Sequence, residues 1–232
     1  CWGTMALTAL LVLELSLYAG CFCCGIVTAA SITILQGNFG GRCILYGHVN
    51  YSANLIGVQS ATSPSLCYFI SAISVIVAVV CFSLTLYWLY AFCIDGDMSR
   101  ERIWMSVIIG LCGAFLFFLL ITGCMLKIGR DSLCSSVTST VPNITSCEEA
   151  QTKSWSSPLK GERFYNRLLK AETAVWVNFF FWLIIGALAV FHRHRSYASK
   201  AGGFAGPAGA LFGETHGTAE ETEPFVNRHA RP

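Results

Sequence analysis

Among the side chains of this 232-residue chain that could do chemistry are the thiols of 12 cysteines and the imidazoles of five histidines. All five histidines fall outside its long apolar runs, and no H-E-x-x-H, G-x-S-x-G or phosphate-binding loop motif occurs. Nucleophilic and metal-assisted catalysis both need a base held beside its partner in a shielded site. The pattern therefore predicts a protein that is not an enzyme, with no catalytic residue, no metal site and no cofactor.

Four long apolar runs must position everything else, and they lie near residues 10–35, 68–94, 103–126 and 174–191. A hydrocarbon core about 30 Å thick needs about 20 apolar residues per helix, and lipid makes each spanning segment satisfy its own backbone hydrogen bonds. Hydrophobic residues make up 54% of the chain and charged residues 12%, against about 25% charged in ordinary globular domains. We therefore predict an all-α membrane protein: a four-transmembrane-helix bundle over residues 1–193, followed by a disordered cytoplasmic tail at 194–232.

Two acceptors for N-glycosylation lie in alternate segments between the runs. Asn50 opens Asn50-Tyr51-Ser52 in the segment 36–67, and Asn143 opens Asn143-Ile144-Thr145 in the segment 127–172. Such acceptors are modified on the luminal side, so both segments are predicted to be luminal or extracellular loops, with both termini cytoplasmic. The many lysines and arginines of the second loop favour the opposite orientation. We give more weight to the acceptors and thiols, which involve specific chemistry.

Four of the cysteines lie in these two loops: Cys43, Cys67, Cys134 and Cys147. An even number of thiols in an oxidising compartment predicts two disulfides, which four cysteines can form in three ways. We prefer Cys43–Cys67 and Cys134–Cys147, because each bond would hold its own loop near the membrane, but the sequence leaves the other pairings open. Cys93, at the cytoplasmic end of the second span, is a candidate palmitoylation site.

Polar residues and glycines within the runs predict how the helices pack. Glu14 is the only formal charge in a run, and the length of the first run allows it to lie inside the bilayer or at the cytoplasmic headgroups. We favour the headgroups. Asn178 in the fourth run is expected to hydrogen-bond with another helix, while Gly110, Gly113 and Gly123 in the third predict a close neighbour.

Several segments of the chain resemble the transmembrane protein 179 family, closest to its B branch. They are Gln36–Gly47, Pro64–Phe69, Arg130–Cys134 and Ala171-Glu172-Thr173 followed by Trp176-Val177-Asn178. The similarity runs in order from about Met5 to Arg193, whereas the tail diverges. The resemblance implies a four-pass membrane protein with both ends cytoplasmic and cysteine-bearing luminal loops. It supplies no catalytic residue.

Together these features predict an accessory or scaffold subunit that packs against a larger membrane protein of the secretory pathway, in the plasma membrane or a vesicle or endolysosomal membrane. Its expected partners are the lipid bilayer, that larger protein or further copies of the chain, and N-linked glycans; a net charge of +2 gives no support for nucleic-acid binding. Phe39, Arg42 and Tyr46 are predicted to contact the partner, with packing onto their own loop as the alternative. The alternative function is an oligomeric channel or transporter component with Glu14 and Asn178 near a polar pathway.

Overall fold

The computed structural model describes the backbone of residues 2–94 and 102–203 and the side chains of residues 9–90 and 105–195. The elements, in chain order, are helix α1 (Trp2–Asn38), strands β1 (Cys43–Ser52) and β2 (Leu55–Thr62), helices α2 (Pro64–Ile94) and α3 (Arg102–Thr140), a short 3₁₀ helix (Glu149–Thr152) and helix α4 (Phe164–Gly203). Within these ranges, four helical segments are long and apolar enough to cross a membrane: Ala9–Asn38, Pro64–Tyr90, Met105–Thr140 and Phe164–Arg195. The predicted four-transmembrane-helix bundle is confirmed.

The third and fourth helices extend well beyond the predicted spans. α3 runs to Thr140 instead of ending near residue 126, and it stops shortly before Pro142, which cannot continue a helix. α4 begins at Phe164 and continues to Gly203. Residues 194–203, predicted as the start of a disordered tail, are therefore helical, because no glycine or proline interrupts the chain before residue 202. Residues 204–232 of that tail lie outside the described residues.

At the seam between the antiparallel helices α1 and α2 the two backbones lie close together. A Cβ atom added at Gly25 would lie 2.7 Å from the carbonyl oxygen of Ser74 and 3.0 Å from the Cβ of Ala78. Further along the seam, the hydroxyl oxygens of Thr33 and Ser71 lie 3.4 Å apart. Small residues allow this approach, and in lipid it is direct packing that holds helices together.

Aromatic rings fill the space between α4 and its neighbours. The ring of Trp182 is fully buried, with its centroid 4.8 Å from that of Phe115 on α3 and 6.2 Å from that of Tyr18 on α1. A Cβ atom added at Gly20 on α1 would lie 2.6 Å from a ring carbon of Phe181. At these seams the glycine makes room for a large ring and not for another backbone.

The glycines of α3 divide between two environments. A Cβ atom at Gly123 would lie 3.2 Å from the indole ring of Trp176, so this glycine does mark a close neighbour. At Gly110 and Gly113 no atom of the described residues lies within 4 Å of the added Cβ. The prediction of a close neighbour is wrong for these two glycines within one copy of the chain, because both lie on the outer side of α3.

The inter-helix segments 36–67 and 127–172 fold together into a unit that we call the head. Its antiparallel sheet pairs β1 with β2, and the hairpin turns at Ala53 and Asn54, both with positive φ (51° and 60°). The end of α3 packs against β1, where the Val49 N–H donates to Ser136 Oγ at 3.1 Å. This sheet was not predicted from the sequence. The fold is a helical bundle with a small β-hairpin between α1 and α2.

Two disulfides and an ion pair fasten the head. Cys43 is bonded to Cys67 and Cys134 to Cys147, with Cα atoms 5.8 and 5.2 Å apart, inside the usual range of about 4.4–6.8 Å. Both preferred pairings are confirmed. Where α3 and α4 enter the head, an Arg130 guanidinium nitrogen lies 2.5 Å from the Glu172 carboxylate, and removing either partner would leave a largely enclosed charge.

Candidate interaction surfaces

An open cleft of about 550 Å³ lies on the head. It is lined by residues that follow α1, by both strands of the hairpin and by the segment 156–159. The segment is held in place because the Ile56 N–H donates to the Ser154 carbonyl at 3.0 Å and the Ser156 N–H donates to the Ile56 carbonyl at 2.9 Å. The volume of the cleft is within the range of about 300–1,000 Å³ usual for small-molecule pockets.

The three predicted partner-contact residues have different surroundings. Phe39 is only 1% exposed, and its ring packs edge-on against Trp155 with centroids 5.4 Å apart. This burial corrects the expectation of direct contact and matches the alternative, packing within the head. Arg42 is exposed at the cleft, and Tyr46 is partly buried with a φ of 60°. Contact of Arg42 and Tyr46 with a partner stays a prediction.

Asn50, the first glycosylation acceptor, lies in the cleft. Burial alternates along the end of β1, so that His48, Asn50 and Ser52 are exposed while Val49 is buried, as expected for a half-buried strand. The cross-strand partner of Asn50 is Gly57. A Cβ atom at Gly57 would lie 2.6 Å from the Asn50 Oδ1 atom, so the amide group of Asn50 leans across the glycine.

Asn143, the second acceptor, lies on an exposed turn and does not line this cleft. Its φ is 60°, a left-handed conformation that asparagine tolerates better than most residues. Two residues on, the Thr145 N–H donates to Glu149 Oε2 at 2.8 Å and its hydroxyl donates to Oε1 at 3.0 Å. The backbone N–H of Thr145 and then its hydroxyl lower the pKa of the Glu149 carboxyl, because both favour the charged form.

Glu14 lies inside one end of the bundle. It is 7% exposed, and a small cavity beside it is lined by residues of all four helices, among them Tyr18, Trp88, Ile108 and Ala189. Its carboxylate is 3.9 Å from His192 Nε2. The side chain of Glu14 is therefore enclosed by the helices, and its position at the level of the cytoplasmic headgroups stays a prediction.

Asn178 is also buried inside the bundle, at 2% exposure. Among the described residues its Oδ1 atom has no hydrogen-bond partner, so the expected interhelical bond is not made by this atom. On α4 it is separated from His192 by a rise of about 21 Å at 1.5 Å per residue, so Asn178 and Glu14 do not converge. Both are enclosed within one copy, whereas a pathway shared between copies would need them on an outer surface.

The free cysteines are distributed along the spans. Cys21, Cys81 and Cys112 are buried, on α1, α2 and α3, while Cys23 and Cys124 are exposed. Within the described residues no group of three or more histidine, cysteine or acidic side chains could hold a metal ion. The side chain of Cys93 lies outside the described side chains, so its palmitoylation stays a prediction.

A stripe of small residues runs along the outer side of α3. Ser106, Gly110 and Ala114 follow one another at intervals of four, Gly113 lies beside them, and all are exposed. Residues three and four apart share a helix face, so the next residue of this face is Phe117, which is 60% exposed. We call this stripe the outer α3 face.

Trp155 lies at the centre of the core of the head, a role that was not predicted from the sequence. Its ring packs between Phe39 and Phe164, with centroids 5.4 and 5.3 Å away, and its indole N–H donates to the Ala150 carbonyl at 3.1 Å. Gly161 leaves room for the ring, since an added Cβ would overlap it. A tryptophan in a serine-rich loop was the available signal for such a core.

Comparison with known proteins gives a consistent picture. The chain matches the family model described as the transmembrane protein 179/179B claudin domain over residues 10–226. Transmembrane protein 179B of Danio rerio is 57% identical over 228 residues, covering 98% of this chain and 100% of that protein. The proteins of the same name from Homo sapiens and Mus musculus are 39% and 36% identical, covering 80% and 86% of this chain and 84% and 91% of their own lengths. No solved structure is significantly similar to the chain.

Proposed function

Because the chain belongs to the transmembrane protein 179/179B family, we propose that it is a non-enzymatic accessory or scaffold subunit that packs beside a larger membrane protein. Membership of this family makes it a multi-pass membrane protein and brings no catalytic residue with it. The observation that carries the proposal is the outer α3 face, a stripe of small exposed residues at which no atom of the described residues lies within 4 Å of a Cβ added at Gly110 or Gly113.

The glycines of the bundle differ in whether another helix packs against them. Gly20, Gly25 and Gly123 each lie against a ring or a backbone of another helix, whereas around Gly110 and Gly113 the described residues leave open space. Small residues in a membrane helix let a second helix approach closely, which gains dispersion contacts that lipid chains supply less well. A membrane helix of a partner would fill this face.

α3 also connects that face to the head. It is 39 residues long, or about 58 Å at 1.5 Å per residue, against a hydrocarbon core of about 30 Å. Its far end carries Cys134 of one disulfide and Ser136, which holds strand β1. A partner that packs on α3 in the membrane can therefore also meet the head, where Arg42 and Tyr46 are available for contact.

The proposal includes an orientation in which the head is luminal or extracellular and both termini are cytoplasmic, in a membrane of the secretory pathway. The two disulfides support it because such bonds persist in oxidising compartments. The exposed acceptors Asn50 and Asn143 support it because both lie on the head.

The proposal is tested by purification in a mild detergent from cells that express the tagged full-length chain, followed by mass spectrometry. Ala114→Leu would fill the outer α3 face, and Ala187→Leu is its matched control at an alanine on α4 that is also exposed. We expect a larger membrane protein to be recovered in near-equal amount with the unchanged chain and with Ala187→Leu. With Ala114→Leu its recovery should fall at least tenfold.

Two results would contradict the proposal that a larger membrane protein packs on the outer α3 face. The first is recovery of the chain alone or only with further copies of itself. The second is equal recovery of the larger protein with both leucine variants, which would show that the outer α3 face is not the contact.

A further inference from the structure

We propose that the cleft on the head holds the first sugar residues of an N-linked glycan carried by Asn50, so that this glycan packs against the protein. The inference rests on the proposed luminal orientation, since an acceptor in the cytoplasm is not modified. The inference distinguishes Asn50 from Asn143 by the surroundings of their glycans, although both match the same sequence motif. The glycan of Asn50 begins in a cleft, and that of Asn143 begins on an open turn.

The pairing of β1 with β2 places Asn50 in the cleft. Side chains of directly opposed strand residues lie on the same face of the sheet, and the residue opposite Asn50 is Gly57. Since Gly57 has no side chain, the Asn50 amide occupies the vacant position, within 2.6 Å of where a Cβ would be. The Ser156 hydroxyl lies 3.7 Å from the same point. The atom group that receives the glycan is thus held at the wall of the cleft beside the segment 156–159.

The lining of the cleft suits a sugar ring, which has apolar faces and a polar edge. Pro158 and Leu159 supply carbon surface, and the hydroxyl of Ser157 adds to that of Ser156. Arg42 brings a guanidinium with five N–H donors and no acceptor, which matches hydroxyl and acetamido oxygens. A covalently tethered ligand has an effective concentration in the millimolar range for a short link, so individually weak contacts suffice.

A glycan bound in the cleft would replace part of the protein surface of the head with sugar. It would cover much of the cleft and leave Arg42 at the boundary between sugar and protein. A partner that approaches this side of the head would then meet a combined surface of glycan and protein.

The two acceptors of one chain provide the matched comparison for a test. The full-length chain is expressed in cells that glycosylate, purified in a mild detergent and digested with a peptide N-glycosidase, and the release at each asparagine is followed by mass spectrometry. We expect release from Asn50 to be at least tenfold slower than from Asn143. After reduction and denaturation the two rates should become equal.

Gly57→Ala tests whether the position of the Asn50 amide is responsible, because the new methyl group would displace that amide. Release from Asn50 should then approach the Asn143 rate, while Ser60→Ala, an exposed change on the same strand outside the cleft, should leave it slow. Gly57→Val is the larger version of the same change, and size-exclusion chromatography identifies any variant that fails to fold.

The outcomes separate this inference from the orientation on which it rests. Equal release in the native protein, or slow release that persists in both Gly57 variants, would overturn the cleft as the seat of the glycan. A glycan on Asn143 with none on Asn50 would also overturn it and would leave the orientation standing. An unmodified chain at both asparagines would overturn the inference and remove support for the proposed orientation as well.

Discussion

At the seam between α1 and α2 two backbones meet directly, whereas α4 is held away from α1 and α3 by aromatic rings. Gly25 faces the carbonyl oxygen of Ser74, an atom fixed within a helix. Gly20 faces the ring edge of Phe181, which can rotate about its side-chain bonds. A glycine at these seams therefore makes room either for a backbone or for an aromatic ring. Which of the two lies opposite decides how much stability a substitution loses.

The largest effect is expected where an aromatic ring is removed from the α4 seams. Trp182→Ala would leave a cavity between Phe115 and Tyr18 and should destabilise the bundle by about 3–5 kcal/mol, the range for aromatic truncations in packed cores. Chemical unfolding in detergent micelles measures it. Phe180→Ala on the same helix is the control, because Phe180 is 57% exposed and should cost far less. Equal losses for the two would show that rings do not hold α4 in place.

The next effect separates the two kinds of glycine. Gly25→Val would force the α1 and α2 backbones apart and should cost about 3 kcal/mol, the upper part of the usual range for overpacking. Gly20→Val should cost about 1 kcal/mol, because the Phe181 ring can move aside. Both free energies come from the same unfolding measurement, with Gly113→Val as the control in open space. If Gly20→Val lowered the free energy of unfolding as much as Gly25→Val, the distinction between a glycine facing a ring and a glycine facing a backbone would be wrong.

The smallest effect concerns polar contacts at the α1–α2 seam. Thr33→Val keeps the shape of the side chain and removes the hydroxyl that lies 3.4 Å from the Ser71 hydroxyl. We expect a loss of about 0.6 kcal/mol, the average for polar contacts between membrane helices. A loss as large as that of Gly25→Val would mean that hydrogen bonding, and not close backbone packing, holds this seam.

Sequence patterns predicted the parts of the fold that depend on local composition. The four spans follow from apolar runs of sufficient length, and both disulfides join cysteines close along the chain. α4 begins before the predicted span, but the signal for its start is local too, since Phe164, Leu168, Ala171 and Val175 are all buried at helical spacing.

The parts that were missed depend on distant neighbours. Phe39 is buried because Trp155, more than a hundred residues away along the chain, packs on it. Gly110 and Gly123 look alike in the sequence, and only the arrangement of the helices shows that one is open and the other lies beneath Trp176. The cleft is likewise assembled from three separate segments, so the pairing of Asn50 with Gly57 could not be read from either strand alone.

Because α3 is continuous from the membrane into the head, a change in its tilt in the membrane is coupled to the position of the head. A helix that is buried in lipid can change its tilt at a cost of fractions of a kcal/mol per ångström of mismatch. Because Ser136 and Cys134 fasten the upper end of α3 to strand β1 and to the following turn, a change of tilt would carry the sheet with it. A change in bilayer thickness, or a neighbouring protein that packs on α3, would thereby change the position of the head relative to the bilayer.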